Sequence, residues 1–176
     1  KSEKNGLKVE FLDCKEKNVK LFYSMLKDTF KKYGQLPPHS EEFYMLLTKR
    51  LLKSNNLLFL SIKNGADVVA MGIFMYNKCE INFMSGTSTR DGNKFGANNL
   101  MHWEVIKFAA DNNISKYNFG GLGISSIDKF KRSFGGYEVG YSRYIWMKQY
   151  INLLFKMLIW VKSNLIMPLT MLLKGR

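Results

Sequence analysis

The residues best suited to chemistry lie together in residues 117–136, which read YNFGGLGISSIDKFKRSFGG. Glycines near both ends let the backbone approach another group closely, because glycine has no Cβ atom. A strand that turns into a helix also exposes backbone N–H groups, which can bind an anion or a carbonyl oxygen. The same glycines are equally typical of two tight turns without a ligand. The stretch therefore predicts a strand, a turn and a short helix that either bind a ligand or only reverse the chain.

A second candidate is the polar loop at residues 87–96, which carries Arg90 and Lys94 and leads into a predicted helix. A basic loop with glycine at the start of a helix can hold a phosphate or a carboxylate. The loop lacks the G-x-x-x-x-G-K-[ST] pattern of a Walker loop. Further along, the third glycine of a dinucleotide fingerprint would fall at Ser126. Anion binding stays open, and both nucleotide-binding classes are disfavoured.

Few residues could act as a base or bind a metal ion. The two histidines are His39, which follows two prolines, and His102, which lies in a predicted helix. We expect His102 to be structural and keep His39 as a candidate for the substrate site. Cys14 and Cys79 form no C-x-x-C pair, and no pair of histidines lies near them in the sequence. A disulfide framework, a zinc site and a Ser/His/Asp triad are therefore not predicted, and a reducing cytosol is expected.

The overall charge indicates an acidic partner. The chain has 27 Lys and Arg against 14 Asp and Glu, a formal net charge of +13. Nucleic acid, a phosphorylated substrate and an anionic membrane surface would each fit, as would lysines that only keep the protein soluble. With 176 residues, of which 46% are hydrophobic, the chain has the size of one globular domain. No export leader is evident, so a cytoplasmic location is expected.

Hydrophobic periodicity and turn residues predict a mixture of helices and strands. Ser40 is a favourable N-cap, Asn64-Gly65 predicts a hairpin, and Ser125 with Asp128 predicts a capping box. The predicted strands are 7–12, 57–63, 68–76, 79–85, 116–119 and 137–146, and the predicted helices are 18–33, 41–53, 97–112 and 126–134. The third helix is predicted to bury Leu100, Trp103, Ile106 and Ala110.

Residues 148–176 differ from the rest of the chain and predict an apolar and basic helical tail. Its longest uncharged run, residues 163–173, is too short to span a bilayer. Such a helix could dock on an anionic membrane surface or pack against the rest of a larger protein. The predicted organisation is therefore a compact domain at 1–146 followed by a tail at 147–176.

The predicted order of elements, β-α-α-β-β-β-α-β-α-β, resembles the GNAT acetyltransferase fold. In that fold two central strands splay apart, and the acyl donor lies in the gap between them. Here those strands would be 79–85 and 116–119. The resemblance implies an α/β fold with a mixed, largely antiparallel sheet and flanking helices, to which this chain adds an amphipathic C-terminal helix.

Within this class the chain resembles the Fem-type peptidoglycan-bridge aminoacyltransferases. The matching segments are KKYGQLPPHSEEFYMLL at 31–47, LLFLSIKNGADVVAMGIFMY at 57–76, NLMHWEVIKFAADNNISKYNFGG at 99–121 and FKRSFGG at 130–136. The last segment fits the family's F-K-x-x-F-G motif, and the whole resemblance covers about residues 7–146. Because family members usually contain two such domains, the resemblance implies that this chain is the second and that an N-terminal partner domain precedes it.

The resemblance implies transfer of an aminoacyl group from charged tRNA to an amine of a nucleotide- or lipid-linked peptidoglycan precursor. It places Phe130 and Lys131 at the acceptor end of the tRNA, where a ring can stack on a base and a cation can meet a phosphate. The predicted binding residues are Phe130, Lys131, Gly120, Gly121, Arg90 and Lys94. No metal ion and no tightly bound cofactor is expected.

The family's Tyr-Asp-Phe-Gly pattern reads Tyr117-Asn118-Phe119-Gly120 here. The candidate catalytic residues are accordingly Asn118 and Tyr117, together with His39. An amide does not titrate, so Asn118 cannot serve as a base, although it can position backbone or substrate by hydrogen bonding. Substrate-assisted catalysis, which needs no protein base, would fit this shortage of candidates.

Two other functions stay open. The chain could transfer an acyl group from acetyl-CoA to an envelope sugar or peptide, but the usual [QR]-x-x-G-x-[GA] pyrophosphate loop is not evident around residues 90–97. It could also be a non-catalytic half that binds tRNA or membrane while its partner domain completes the site. The net charge fits the first and third functions better than a small-molecule enzyme.

Overall fold

The computed structural model describes residues 6–52, 54–142, 146 and 148–161. The chain divides into two compact units, Lys1–Phe134 and Gly135–Arg176. The first unit contains strands β1 (Leu7–Phe11), β2 (Leu57–Asn64), β3 (Asp67–Tyr76), β4 (Glu80–Ser88) and β5 (Lys116–Asn118), and helices α1 (Glu16–Lys31), α2 (Glu41–Leu52), α3 (Arg90–Phe95), α4 (Ala97–Asp111) and α5 (Ser125–Arg132). The second unit contains helix α6 (Gln149–Val161).

The five strands form one sheet in the order β1-β2-β3-β4-β5. Neighbours from β1 to β4 are antiparallel, and β5 joins β4 in parallel. The predicted hairpin is confirmed: Asn64 pairs with Asp67, and Gly65 takes a left-handed φ of 60°, which favours glycine. The mixed, largely antiparallel sheet predicted from the sequence is therefore confirmed.

Helices α1 and α2 cover one face of the sheet. Their shared core consists of Val19, Phe22, Leu26, Tyr44, Leu57, Phe59, Met71 and Ile73. Two polar contacts tie this layer to β4. The Thr87 hydroxyl donates to the Met25 carbonyl at 2.9 Å, and the Tyr44 hydroxyl donates to Ser85 Oγ at 3.2 Å. The first helical layer is thus fixed to the strand that borders the predicted gap.

Helix α4 covers the opposite face and lies close to the sheet. Gly72 of β3 and Gly86 of β4 are cross-strand partners. A Cβ atom on Gly72 would lie 2.6 Å from Met101 Sδ, whereas one on Gly86 would lie 2.9 Å from Cζ of Phe83. Gly72 therefore makes room for Met101, the residue before His102, and Gly86 makes room for the ring of Phe83.

The predicted inward face of this helix is wrong in part. Leu100 is buried as predicted, but Trp103 is 51% exposed and Ala110 is also exposed. The residues that are buried are Ala97, Leu100, Met101, His102, Val105 and Ala109. The helix packs along a row that steps by four residues, Ala97, Met101, Val105 and Ala109, and Gly72 of β3 makes room for Met101 there.

The region predicted as a polar loop at 87–96 is mainly helical. The Thr89 hydroxyl caps α3 by accepting the Gly92 N–H at 3.0 Å. Gly96 ends the helix with a left-handed φ of 81°. At the start of α2, the predicted cap is confirmed, since Ser40 Oγ accepts the Phe43 N–H at 3.3 Å.

The strand predicted at 137–146 is wrong for its first part. Residues 136–142 have no regular structure, and Tyr137 and Tyr141 are exposed. The aromatic alternation that predicted a strand therefore buries neither side chain. The predicted tail helix corresponds to α6 up to Val161. Lys53 and residues 143–145, 147 and 162–176 lie outside the described residues. In the described part, the helices are all too short or too polar to cross a bilayer.

Candidate functional site

Strands β4 and β5 separate after a short contact. Three residue pairs join them, from Glu80 and Lys116 to Asn82 and Asn118. Strand β5 then ends, while β4 continues to Ser88. A Cβ atom on Gly120 would lie 3.9 Å from the Phe83 carbonyl oxygen. The two strands therefore stop pairing beside Phe83, at the place where the gap was predicted.

Asn118 fixes both sides of this opening. Its Nδ2 donates to Glu80 Oε1 on β4 at 2.9 Å, and its Oδ1 accepts the Gly120 N–H at 2.8 Å. Gly120 has a φ of 76°, a conformation that favours glycine. An amide can donate and accept at the same time, whereas a carboxylate can only accept. The contacts of Asn118 are thus those of a residue that positions the backbone.

Helix α5 begins with a contact that the sequence did not predict. Both carboxylate oxygens of Asp128 accept the Gly123 N–H, at 3.2 and 3.1 Å. The predicted capping by Ser125 is wrong, because the N-cap residue is Ile124 and no side chain caps that position. The N–H groups of Gly120 and Gly123 are both engaged by side chains. They are therefore not available to an oxygen atom of a ligand.

Lys131 of α5 is half-buried. Its Nζ donates to the Gly121 carbonyl at 2.5 Å. An ammonium has three N–H donors, so this contact holds the group over the loop and leaves donors for a ligand. Burial lowers the pKa of Lys131, and the carboxylate of Asp128 opposes this effect. Lys129, on the same helix, is exposed.

The buried centre of the site is His102, which is 3% exposed. Its Nδ1 lies 2.5 Å from the Tyr117 hydroxyl oxygen, so the two groups share a hydrogen bond. Five other rings surround the imidazole at centroid distances of 4.8 to 5.9 Å: Phe74 of β3, Phe83 of β4, Phe119 after β5, Phe130 of α5 and Phe134 after α5. His102 and these rings form the His102 cluster, which joins the sheet to α5.

Burial keeps the centre of this cluster uncharged. Burial, together with the positive charge of Lys131, lowers the pKa of His102 to about 4, so the imidazole is neutral near neutral pH. Burial also raises the pKa of Tyr117, so its hydroxyl stays protonated. The ammonium of Lys131 therefore lies near a hydrogen-bonded pair, His102 and Tyr117, that carries no charge.

Sequence reasoning placed Tyr117, Gly121, Phe130 and Lys131 in the site, and the structure brings these four together. It did not place His102 there. The signal that could have found His102 is the row of Ala97, Met101, Val105 and Ala109, which steps by four residues along α4 beside His102. A polar side chain beside such a buried row must find a partner.

An open cleft of about 510 Å³ lies between the last turns of α1 and the start of α3. It is lined by Met25, Asp28, Thr29, Lys31, Lys32, Ser88, Thr89 and Arg90. Three positive charges against one negative charge, together with three hydroxyl groups, suit a ligand that carries phosphate. The predicted residue Arg90 therefore belongs to this cleft, which we call the basic cleft.

The other predicted residues have different neighbours. Lys94 is exposed and pairs with Asp91 at 3.3 Å. His39 is exposed and stacks on Phe43 with a centroid distance of 4.1 Å. Within the described part of the chain, no group of three or more His, Cys, Asp or Glu side chains could hold a metal ion.

The gap, the sheet order and the flanking helices can now be compared with known proteins. A family model described as an acetyltransferase (GNAT) domain matches residues 2–132. The chain belongs to the GNAT acetyltransferase family. A possible acetyltransferase from Clostridium difficile 630 shares the fold, with a TM-score of 0.63 and 13% identity over 81% of this chain and 97% of that chain. A predicted acetyltransferase from Clostridium acetobutylicum, solved with acetyl-CoA, has a TM-score of 0.60 and 12% identity over 81% and 96% of the two chains.

This GNAT domain is also similar to part of an aminoacyltransferase. The aminoacyltransferase FemB of Staphylococcus epidermidis is 37% identical over 54 residues. That match covers 31% of this chain and only 13% of FemB. The family match identifies the domain as an acyltransferase domain of the GNAT type.

His102 is expected to make the GNAT domain sensitive to acid. Its pKa is about 4 in the folded chain against an ordinary 6.5, so the unfolded chain takes up this proton first as the pH falls. The stabilising effect is complete above pH 6.5 and is lost as the pH falls towards 4, at a total cost of about 3 kcal/mol. Urea denaturation between about pH 7 and pH 4 should show this loss in the wild type and not in His102→Asn. His39→Asn removes the exposed histidine and should keep the wild-type dependence. An equal loss in His102→Asn would contradict this account.

Asn118→Asp is expected to weaken the edge of the gap, because a second carboxylate would face Glu80 where Nδ2 now donates at 2.9 Å. The loss of stability should be about 0.5–1 kcal/mol, as for other partly exposed pairs. Adding Glu80→Gln should restore stability, since the new amide can donate to the aspartate. A double-mutant cycle measured by urea denaturation checks this prediction. Additive effects of the two changes would mean that the contact contributes nothing.

Proposed function

We propose that this GNAT domain is an aminoacyltransferase of peptidoglycan biosynthesis, which transfers an aminoacyl group from charged tRNA to an amine of a cell-wall precursor. The observation that carries the proposal is that Phe130 and Lys131 both contact residues around the end of β5. Phe130 packs 5.5 Å from His102, and Lys131 donates to Gly121. A ring can stack on the terminal base of tRNA while an ammonium pairs with its phosphate.

Two further observations support a donor carried on RNA. The formal net charge of +13 suits a partner rich in phosphate, because such binding is dominated by contacts to the nucleic-acid backbone. The partial similarity to FemB, an aminoacyltransferase by its name, agrees with an aminoacyl rather than an acetyl group. Both observations concern the donor and leave the amino acid open.

The proposed reaction needs no protein base. The amine of the precursor attacks the ester carbonyl carbon, a C–N bond forms, and the C–O bond to the tRNA ribose breaks. The proton that the amine loses is taken up by the ribose oxygen. In between, the carbonyl oxygen becomes negatively charged and needs a donor or a cation. Lys131 suits this role, because the N–H groups of Gly120 and Gly123 are engaged by side chains.

The basic cleft suits the phosphates of the nucleotide- or lipid-linked acceptor. Lys31, Lys32 and Arg90 supply its positive charge. Its residue Ser88 and the gap residue Phe83 lie on the same strand, five residues apart. At about 3.3 Å per residue, they are about 16 Å apart along β4. An extended precursor could therefore place its phosphates in the cleft and its amine at the gap.

Transfer from acetyl-CoA is the second candidate function. It is favoured by the fold likeness to a predicted acetyltransferase solved with acetyl-CoA. Two features of this chain weaken it. Residues 90–97 lack the usual pyrophosphate pattern. In addition, the Gly92 N–H at the start of α3 is engaged by Thr89 Oγ1 at 3.0 Å.

The proposed function also implies a partner domain, a cellular location and a role for the tail. An N-terminal partner domain would complete the enzyme, which would work in the cytoplasm at the inner face of the membrane. The tail at 148–176 would provide peripheral membrane contact. Within it, α6 exposes apolar side chains at Ile151, Leu153, Leu154, Phe155, Met157 and Leu158. Such an apolar surface suits either a membrane interface or a protein partner.

A transfer assay on the complete natural protein tests the donor. Charged tRNA and acetyl-CoA are each supplied with a peptidoglycan precursor, and product is expected with charged tRNA alone. Lys131→Ala should lower kcat/KM for tRNA about 10- to 100-fold, because it removes the cation at the gap. Lys129→Ala is the matched control, since it removes the same charge from the exposed side of α5. Full activity of Lys131→Ala would refute the role of Lys131, and product with acetyl-CoA alone would favour the second candidate.

A further inference from the structure

His102 is the point at which the elements around the gap meet. Its ring contacts Phe83 of β4, Phe119 after β5 and Phe130 of α5, at centroid distances of 4.8, 5.2 and 5.5 Å. Its Nδ1 is hydrogen-bonded to the Tyr117 hydroxyl at 2.5 Å. A displacement of His102 would therefore be felt by both strands and by the helix that carries Lys131.

Helix α5 depends on this cluster for its place on the sheet. The hydrogen bonds of Asp128 to Gly123 and of Lys131 to Gly121 join the helix to the loop directly before it. Contacts within one short segment fix its internal shape, but they do not fix its place on the domain. The rings of Phe130 and Phe134 reach the sheet side, where both pack against His102.

A histidine is suited to this place because it combines a flat ring with a polar atom. The Tyr117 hydroxyl is half-buried and needs a hydrogen-bond partner, which a phenylalanine in place of His102 would not supply. The imidazole is also neutral there, so it does not repel the neighbouring ammonium of Lys131. His102 thus makes both the ring contacts and the hydrogen bond to Tyr117.

We propose that His102 is a positioning residue of the donor site: through Tyr117 and the rings of Phe130 and Phe134, it holds α5 so that Lys131 faces the gap. The proposal rests on the proposed function in one respect, namely that Lys131 engages the aminoacyl donor. The placement of α5 by His102 is independent of which donor is used. Structural and kinetic consequences can therefore be measured separately.

The test compares His102→Leu, Tyr117→Phe and His102→Asn in the complete protein. Leucine removes the polar atom and the ring, and phenylalanine at 117 removes only the hydroxyl. Asparagine retains a polar atom close to the position of Nδ1 and can donate or accept. The control is Trp103→Leu, on the exposed side of the same helix. Each variant is followed by hydrogen exchange at the amides of α5 and by KM for charged tRNA and for the acceptor.

His102→Leu and Tyr117→Phe should lower the exchange protection of α5 and raise KM for charged tRNA, each about tenfold, with KM for the acceptor unchanged. His102→Asn should recover only the part that depends on the hydrogen bond to Tyr117, because asparagine restores the polar atom and not the ring contacts, and Trp103→Leu should match the wild type. Unchanged protection of α5 in His102→Leu would overturn the proposal whatever the activity. So would lowered protection without a change in KM for tRNA. If the wild type fails to use charged tRNA, the proposed function fails, and the exchange measurement still decides whether His102 places α5.

Discussion

The parallel contact between β4 and β5 lasts for three residue pairs, and the site depends on where it stops. A longer ladder would close the gap. The end of β5 is shaped by Asn118, whose Oδ1 accepts the Gly120 N–H at 2.8 Å. The left-handed φ of Gly120 then turns the chain away from the sheet. Asn118 and Gly120 thus open the gap between β4 and β5.

The space behind this opening is filled mainly by the aromatic rings of the His102 cluster. Gly72 lets Met101 of α4 approach the sheet, Gly86 makes room for the ring of Phe83, and this ring contacts His102 at a centroid distance of 4.8 Å. An imidazole in such surroundings is stable only if it is neutral and hydrogen-bonded, and the contact with Tyr117 provides the bond. The half-buried ammonium of Lys131 acts on this imidazole, because its positive charge helps to lower the pKa of His102. The burial of His102 therefore determines both the ring packing in this site and the neutral state of the imidazole.

Much of the fold could be predicted from local patterns, because hairpins, caps and alternating strands are determined by neighbouring residues. The Asn64-Gly65 turn and the Ser40 cap are examples. The inward face of α4 could not be predicted, because it depends on Gly72, which lies on a different element and makes room for Met101. The motif around Phe130 and Lys131 was visible in the sequence. Their anchor was not, since the contact of His102 with Tyr117 exists only after the sheet and α4 have packed.

The central claim is that the gap beside α5 receives an aminoacyl group carried on RNA. The most direct measurement is NMR mapping of amide shifts when an aminoacylated acceptor-stem RNA is added to the protein. The account predicts that the largest shifts fall in residues 119–124 and in α5, that they weaken when the RNA is uncharged, and that acetyl-CoA does not reproduce them. Shifts confined to α6 or to the basic cleft, or shifts in the gap with acetyl-CoA alone, would contradict it.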